Sequence, residues 1–297
     1  MRIGVIYNPT ARGERARRSQ DFLAGLRGEC ELKPTRQSGE ARILAREAVL
    51  GGCERVVAAG GDGTVNEVLN GIGDTPEGFS RVALGVIPLG TVNVMAREHK
   101  IPLTPGPAWN VIRAGSEKRI DLPRCEIQSG EKTEIRYFAQ LAGSGLDASA
   151  IDHVDWELKK QIGPLAYVWA GLLALRACPS RITVRHPGGI LFGNELVLIG
   201  NGRLYGGPFP VFRQGDVTDG KLDVCVFPRV SLGVALRYFV GQFIFRRSGA
   251  GGIHQFQTES LELLGDKSAR FEVEGETVGS LPVNISLQPR CLRLIVP

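Results

Sequence analysis

The six cysteines (Cys30, Cys53, Cys125, Cys178, Cys225 and Cys291) form no CxxC pair and are scattered along 297 residues. That spacing argues against a disulfide framework or a zinc site, and for small buried hydrophobes in a reducing compartment. Histidine is scarce, with four in the chain, and no HExxH arrangement occurs. Neither GxxxxGKS nor GxxxxGKT is present, which sets aside a P-loop nucleotide site. The longest apolar stretch, Leu165 to Leu175, is too short to span a bilayer. The opening MRIGVIYNPT has no extended apolar region of a signal peptide, so the expectation is a cytoplasmic protein. No long linker, internal repeat or low-complexity tract interrupts the chain. No basic strip interleaved with aromatics marks a nucleic-acid module, and nucleic acid is not an expected partner.

What is present is the mix of a globular protein with a core: 43% hydrophobic and 23% charged residues. The length suits two ordinary domains. A net charge of +5 permits contact with nucleotides, acidic lipid or other anions without choosing among them. The first 120 residues alternate strand and helix signals. Ile3 to Tyr7 is a strand ending at the turn Asn8-Pro9. Ser38 is placed to cap a helix that runs to Gly51-Gly52. Arg55 to Ala59 is a continuous apolar run, as in a strand buried on both faces. Val82 to Ile87 repeats that pattern and leads into a helix over Val92 to Glu98. This alternation predicts a parallel sheet. After Asp121 the runs Ile182–Arg185, Leu191–Gly200, Leu222–Phe227, Ser260–Leu264, Ala269–Val273 and Leu292–Val296 read as strands between turns. Helical patterns over Ile151–Ala177 and Leu232–Phe245 interrupt this mainly β region.

Between the second apolar run and the next helix lies Gly60-Gly61-Asp62-Gly63-Thr64. Glycines allow positive φ and close approach of backbone to phosphate, and a helix start offers free N–H groups. Asp62 would repel phosphate, so its role is to hold Mg²⁺ or to handle a proton. Thr64 and Glu67 have capping-box spacing. Pro88-Leu89-Gly90-Thr91-Val92-Asn93 occupies the matching place after the next strand, where Thr91 and Asn93 can reach phosphate or ribose. Ligands of open α/β sheets bind beyond the carboxyl ends of strands, so both turns can face one crevice. Gly143-Ser144-Gly145-Leu146-Asp147-Ala148 matches the dinucleotide fingerprint GxGxxA but lacks a βαβ unit around it.

With these turns, Asn8-Pro9, Asp219-Gly220-Lys221-Leu222-Asp223 and Glu274-Gly275-Glu276 on the page, the chain resembles the diacylglycerol kinase catalytic-domain family. The likeness is to its bacterial soluble lipid kinase branch, related to sphingosine and ceramide kinases and to NAD kinase. The resemblance implies an α/β N-terminal domain with a parallel sheet, residues 1–121, that binds the nucleotide. It implies a mainly β, sandwich-like lipid-substrate domain over 122–297, with the last strand returning to the first domain. Members transfer phosphate from Mg-ATP to lipid hydroxyls. Carried over by position, Asn8, Thr35, Gly60, Gly61, Asp62, Gly63, Thr64, Val65, Asn66, Thr91, Asn93 and Glu276 belong to the nucleotide site. Glu274 stands where the family has its proton-accepting Asp. A second Mg²⁺ would fall to Asp219 with the backbone carbonyls of Asp216 and Lys221. Two departures stand out: Val94 replaces a metal-organising Asp, and Glu274 carries one methylene more than the family's acid.

The lipid reading rests on the apolar segment Leu165 to Leu175, flanked by Lys159, Lys160, Arg176 and Arg181. It fits an acyl-chain pocket, a membrane-facing helix or a core helix. Leu236 to Arg247 mixes aromatics with arginines, and Arg12 to Arg18 is a further basic cluster. Expected partners are ATP, a lipid acceptor and, transiently, the inner face of the membrane; a homodimer is left open. Two alternatives stand beside the lipid kinase: a soluble-substrate kinase of the NAD kinase type, and a catalytically weak nucleotide-binding regulator.

Overall fold

Ile3–Tyr7 (β1), Glu31–Pro34 (β2), Arg55–Gly60 (β3) and Ala83–Pro88 (β4) form a parallel sheet in the order β2-β1-β3-β4. The register sets Val5 beside Val57 and Val57 beside Gly85. β3 and β4 are buried along nearly their whole length, which is why both read as unbroken apolar runs. Helices Glu40–Leu50 (α1), Asp62–Gly73 (α2), Gly78–Arg81 (α3), Val94–Glu98 (α4) and Pro105–Ala114 (α5) accompany these strands. Trp109 and Ile112 of α5 pack with Ile3, Val5, Val57 and Ile87 from one face of the sheet. α1 and α2 pack on each other beside β1 and β3.

This computed structural model describes residues 1–9, 21–130, 132–145, 181–231, 234, 238, 252–266 and 268–297. The Arg12–Arg18 cluster, the helical pattern Ile151–Ala177 with its Leu165–Leu175 segment, and the Leu232–Phe245 and Leu236–Arg247 stretches lie outside the described residues, Val234 and Tyr238 excepted. The chain divides into two compact units. The first comprises Met1–Leu122, Tyr137–Ala139 and Gln288–Pro297; the second comprises Pro123–Arg136 and Gln140–Leu287.

The remaining strands are Ser116–Ser129 (β5), Lys132–Tyr137 (β6), Leu141–Gly145 (β7), Ile182–His186 (β8), Gly189–Asn194 (β9), Leu196–Gly200 (β10), Leu204–Tyr205 (β11) and Phe209–Pro210 (β12). Leu222–Phe227 (β13), His254–Thr258 (β14), Ser260–Leu264 (β15), Arg270–Val273 (β16), Glu276–Ser280 (β17) and Val283–Val296 (β18) complete them. In the second unit an antiparallel sheet runs β14-β13-β10-β7-β16-β17. A second antiparallel set places β15 between the start of β18 and β8, with β9 beyond β8. In the first unit the end of β18 joins β4 in parallel, Leu294 beside Leu84. The architecture is an α/β unit with a parallel sheet followed by a β-rich unit.

Local readings shift in four places. The run Leu191–Gly200 is two strands of different sheets with Glu195 between them; its N–H donates to the Phe227 carbonyl at 2.9 Å and its carboxylate accepts the Val230 N–H at 2.7 Å. The Val92–Glu98 helix begins at Val94. β5, which carries Pro123 and many polar residues, gave no strand signal. Ser38 is an exposed turn residue; Gly39 caps α1, in a left-handed conformation and without a side-chain bond.

The side chain that does cap α1 is Glu67. Its two carboxylate oxygens accept the N–H groups of Gly39 (2.9 Å) and Ala41 (3.0 Å). Glu67 therefore serves the neighbouring helix and does not form a capping box with Thr64; α2 itself begins earlier, at Asp62, with Gly61 as its N-cap. Arg42 and Asp74 join the same two helices by a paired contact at 2.6 and 2.7 Å.

Two stability predictions follow from these contacts. Glu67→Ala should lower unfolding free energy by about 1–3 kcal/mol in urea titration, because two amides lose a charged acceptor. His99 is buried, its Nε2 lacks a hydrogen-bond partner, and burial followed by the Lys118 charge depresses its pKa to about 4. Its neutral form is the folded form, so stability is full above pH ~6.5 and falls as pH drops toward 4. His99→Leu should remove on the order of 2–3 kcal/mol of that acid-side loss, read as a flatter stability profile between pH 7 and 4.5.

Candidate functional site

In a parallel sheet all carboxyl ends lie along one edge, and four segments gather there in the first unit. Tyr7 is in register with Pro34 and with Ala59, and Gly60 with Pro88. Asn8, Thr35, Gly61 and Leu89 therefore leave neighbouring strands side by side. Thr35 is buried, its N–H bonded to the Tyr7 carbonyl at 2.8 Å, while Asn8 is exposed.

The two glycine turns touch. A Cβ built on Gly90 would fall 2.5 Å from the Cα of Gly61, and one built on Gly61 would fall 3.3 Å from the Cα of Gly90. Gly90 has no room for a side chain, and at Gly61 a Cβ would be a tight fit. The expectation of positive φ does not hold: Gly61 is extended at φ −89°, and Gly60, Gly61, Gly63 and Gly90 all lie outside the left-handed region. Closeness of backbone, not handedness, is the reason for these glycines. Gly60 faces the Thr64 side chain, which fills the space where a Cβ would be.

Asp62 locks the two turns together. One carboxylate oxygen accepts the Asn93 N–H at 2.9 Å and the other the Val94 N–H at 2.7 Å, at the start of α4. Burial raises its pKa above the ordinary carboxylate value, against the backbone amides that favour its charged form. Asn93 takes a left-handed conformation at φ 54°, and its own side chain closes the second turn. It accepts the Gly90 N–H at 3.0 Å and donates to the Gly90 carbonyl at 2.7 Å. Thr91 is exposed beside it, and Val94 is buried. The Asn93 side chain is thus occupied by its own turn, while Thr91 faces solvent.

Val65 and Asn66 are buried on α2. Asn66 accepts from Asn70 through both its carbonyl and its side chain, each at 2.9 Å. Asn70 also pairs with the backbone of Tyr137, accepting its N–H at 2.8 Å and donating to its carbonyl at 3.0 Å. Sequence reasoning missed Asn70, since a polar residue in a helix reads as solvent-facing until a partner strand is known.

In the second unit Glu274 and Gly275 make the two-residue turn between β16 and β17, with φ 53° and 82°. Both residues are left-handed, the type I′ pattern, which favours Asn or Asp at the first position. Glu274 departs from that preference. Its N–H donates to the Leu141 carbonyl at 3.0 Å, and its Oε1 accepts the Gln140 N–H at 2.8 Å. Glu276 is exposed at the start of β17. Nearby, Glu272 is buried and its Oε1 accepts from the Tyr205 hydroxyl at 3.0 Å. Gly143, Ser144 and Gly145 are the last three residues of β7, the first two paired on both sides and Gly145 with Leu196; Leu146 to Ala148 lie outside the described residues.

Asp216, Asp219 and Lys221 precede β13. Asp216 accepts the Thr218 N–H at 2.9 Å, and Asp219 accepts the Lys221 N–H at 2.9 Å. Gln257 bridges Asp219 and Asp223 at 3.4 and 3.3 Å. Burial pushes Asp223 up to about 6, with Asp219 adding to the rise against the Gln257 bond and the Lys221 charge. β13 and β16 are separated by β10 and β7, so this acidic group and Glu274 occupy different parts of one sheet.

Asp62→Asn should expose how much of the first site depends on the clamp. The carboxamide nitrogen must face an N–H of Asn93 or Val94, donor against donor. We expect a loss of about 1–3 kcal/mol in thermal or urea unfolding. An unchanged melting temperature would show that the turns hold without it.

Residues 2–125 match the diacylglycerol kinase catalytic domain, and residues 140–296 match the YegS C-terminal NAD kinase beta sandwich-like domain. A Stenotrophomonas maltophilia (strain K279a) protein named "probable lipid kinase YegS-like" is 29% identical, over 99% of this chain and 95% of its own. One of the same name from Xanthomonas campestris pv. campestris (strain 8004) is 32% identical, over 70% of this chain and 67% of its own. The crystal structure of a diacylglycerol kinase from Bacillus anthracis str. Sterne superposes with a TM-score of 0.77 at 22% identity, covering 100% of this chain and 97% of that one, and so supports the fold. The chain belongs to the lipid kinase family that joins a diacylglycerol kinase catalytic domain to a YegS-type β-sandwich-like domain, and it is a kinase.

Proposed function

We propose that this kinase transfers the γ-phosphate of Mg-ATP to a hydroxyl of a lipid: diacylglycerol, a sphingoid base or a related molecule. The observation that carries the reading is the contact between Gly61 and Gly90 under the Asp62 clamp. It sets two backbone turns together at the carboxyl edge of a parallel sheet, where α/β proteins bind ligands. α2 starts there without a side-chain cap, so its first N–H groups are open to a phosphate. α1 and α4, by contrast, have their first amides occupied by Glu67 and Asp62.

In this reading Gly60, Gly61, Gly63 and Thr64 bind phosphate through backbone and hydroxyl groups. Asn8, Thr35, Val65, Asn66 and Thr91 shape the remaining nucleotide site, with Asn93 keeping the second turn closed; the family's pattern adds Glu276 to the nucleotide-binding residues. Among the described residues no group of three or more His, Cys, Asp or Glu gathers to hold a metal. Mg²⁺ carried on a nucleotide keeps several waters and needs one or two carboxylates from the protein. Asp62 would hold it, as the acid between the two turns. Mg²⁺ bound there supplies charge neutralisation for the phosphoryl group. Asp219, with the carbonyls of Asp216 and Lys221, would hold a second ion. Glu274 would take the proton from the attacking hydroxyl, its carboxylate positioned by the Gln140 amide. Residues 1–121 would form the nucleotide domain and 122–297 the lipid domain. The protein would work in the cytoplasm, at the inner face of the membrane.

Radiolabelled ATP offered with diacylglycerol, sphingosine, ceramide and NAD tests this directly. Label in a lipid is the expected result. Label in NAD alone would make it a soluble-substrate kinase, and binding without transfer a regulator. Glu274→Gln keeps an acceptor for Gln140 and should cut turnover by about 10²–10⁴ while ATP affinity holds. Unchanged turnover in that variant would remove Glu274 from the chemistry.

A further inference from the structure

Given the reading of a membrane lipid as acceptor, on which this rests, we propose that the β8–β9 hairpin is the surface by which the protein docks on an anionic bilayer. Among the described residues β9 ends its strand order and pairs on one side, with β8. Its sequence, GILFGN, carries no charge. Phe192 is 74% exposed, the most exposed large hydrophobic among the described residues, and Ile190 is 45% exposed. Strand alternation sets these two on one face, opposite the half-buried Leu191. An edge strand in permanent contact with water is ordinarily guarded by lysine, proline or charge. Here the guard is missing and an aromatic stands in its place.

Charge selects the occupant. From Leu158 to Asn194 the sequence contains no Asp or Glu, and it contains Lys159, Lys160, Arg176, Arg181 and Arg185. This stretch alone equals the formal net charge of the whole chain, +5, so the remainder is neutral. Of these cations, Arg181 immediately precedes β8 and Arg185 lies on it. Their side chains stay 61% and 54% exposed although they pair with Glu195 and Glu262. Basic residues beside exposed aromatic and aliphatic side chains are what an anionic lipid surface recognises. Pairing of β9 with a second copy is less suited to the geometry. The β8–β9 register shifts between Ile182 and Val184, and Gly193 sits at φ 69°, so the ladder is broken next to Phe192.

The test is flotation of the full chain with phosphatidylcholine vesicles, with and without phosphatidylglycerol, for wild type, Phe192→Leu and Ile190→Asp/Phe192→Asp. Wild type and Phe192→Leu should float with the anionic vesicles. The double aspartate variant should partition at least about tenfold more weakly, since two apolar side chains no longer enter the interface and two negative charges are added. Its melting temperature and its rate on a short-chain, water-soluble diacylglycerol should match wild type. Equal flotation of wild type and the double variant would overturn the proposal, as would a wild type that fails to float. A double variant that floats normally but changes from dimer to monomer in sedimentation would assign the edge to a second copy instead. The kinase reading fails separately, if wild type floats yet labels no lipid.

Discussion

The first unit depends on one carboxylate holding two turns in contact. Asp62 starts α2 and accepts the two amides at the start of α4, so the loop after β3 and the loop after β4 move as one piece. Those loops can meet because Gly61 and Gly90 have no side chains between them. The clamp is expensive in desolvation, as the raised pKa of Asp62 records, and the amide bonds offset that cost. A neutral side chain of the same shape could accept one of these bonds but not both.

α2 also supplies the acid that caps its other neighbour. Glu67 closes the start of α1 while Asp62 closes the start of α4, so one helix satisfies the orphan amides of two. Asn70, farther along, fixes the backbone of Tyr137. Asp62, Glu67 and Asn70 of α2 are each committed to a neighbouring segment.

The second unit positions its acid by a different device. Glu274 stands in a left-handed turn position where a shorter acid is preferred, and is tied at both its amide and its carboxylate to the start of β7. Backbone strain of this kind persists where surrounding contacts over-determine it. On this sheet the turn is held by the central strand, and the carboxylate inherits that rigidity. The β8–β9 hairpin is the opposite case: among the described residues β9 has one partner strand, and Ile190 and Phe192 are exposed.

Apolar runs and turn residues determined much of this protein by themselves. Continuous runs ending in glycine turns specified a buried parallel sheet, and the GGDGT and PLGT turns marked the two loops that the structure brings into contact. These are local properties, set by burial on both strand faces and by short-range turn chemistry. What the tertiary structure decided are the partners of the polar side chains. Glu67 has the spacing to cap its own helix and caps another; Asn93 looks like a ligand group and closes its own turn; Asp62 serves the next helix before it serves any metal. Hydrogen bonds of that kind join residues far apart in sequence, such as Asp62 with Val94 or Gln140 with Glu274. No periodicity records them, because a carboxylate takes whichever amides the packing of the sheet brings within reach.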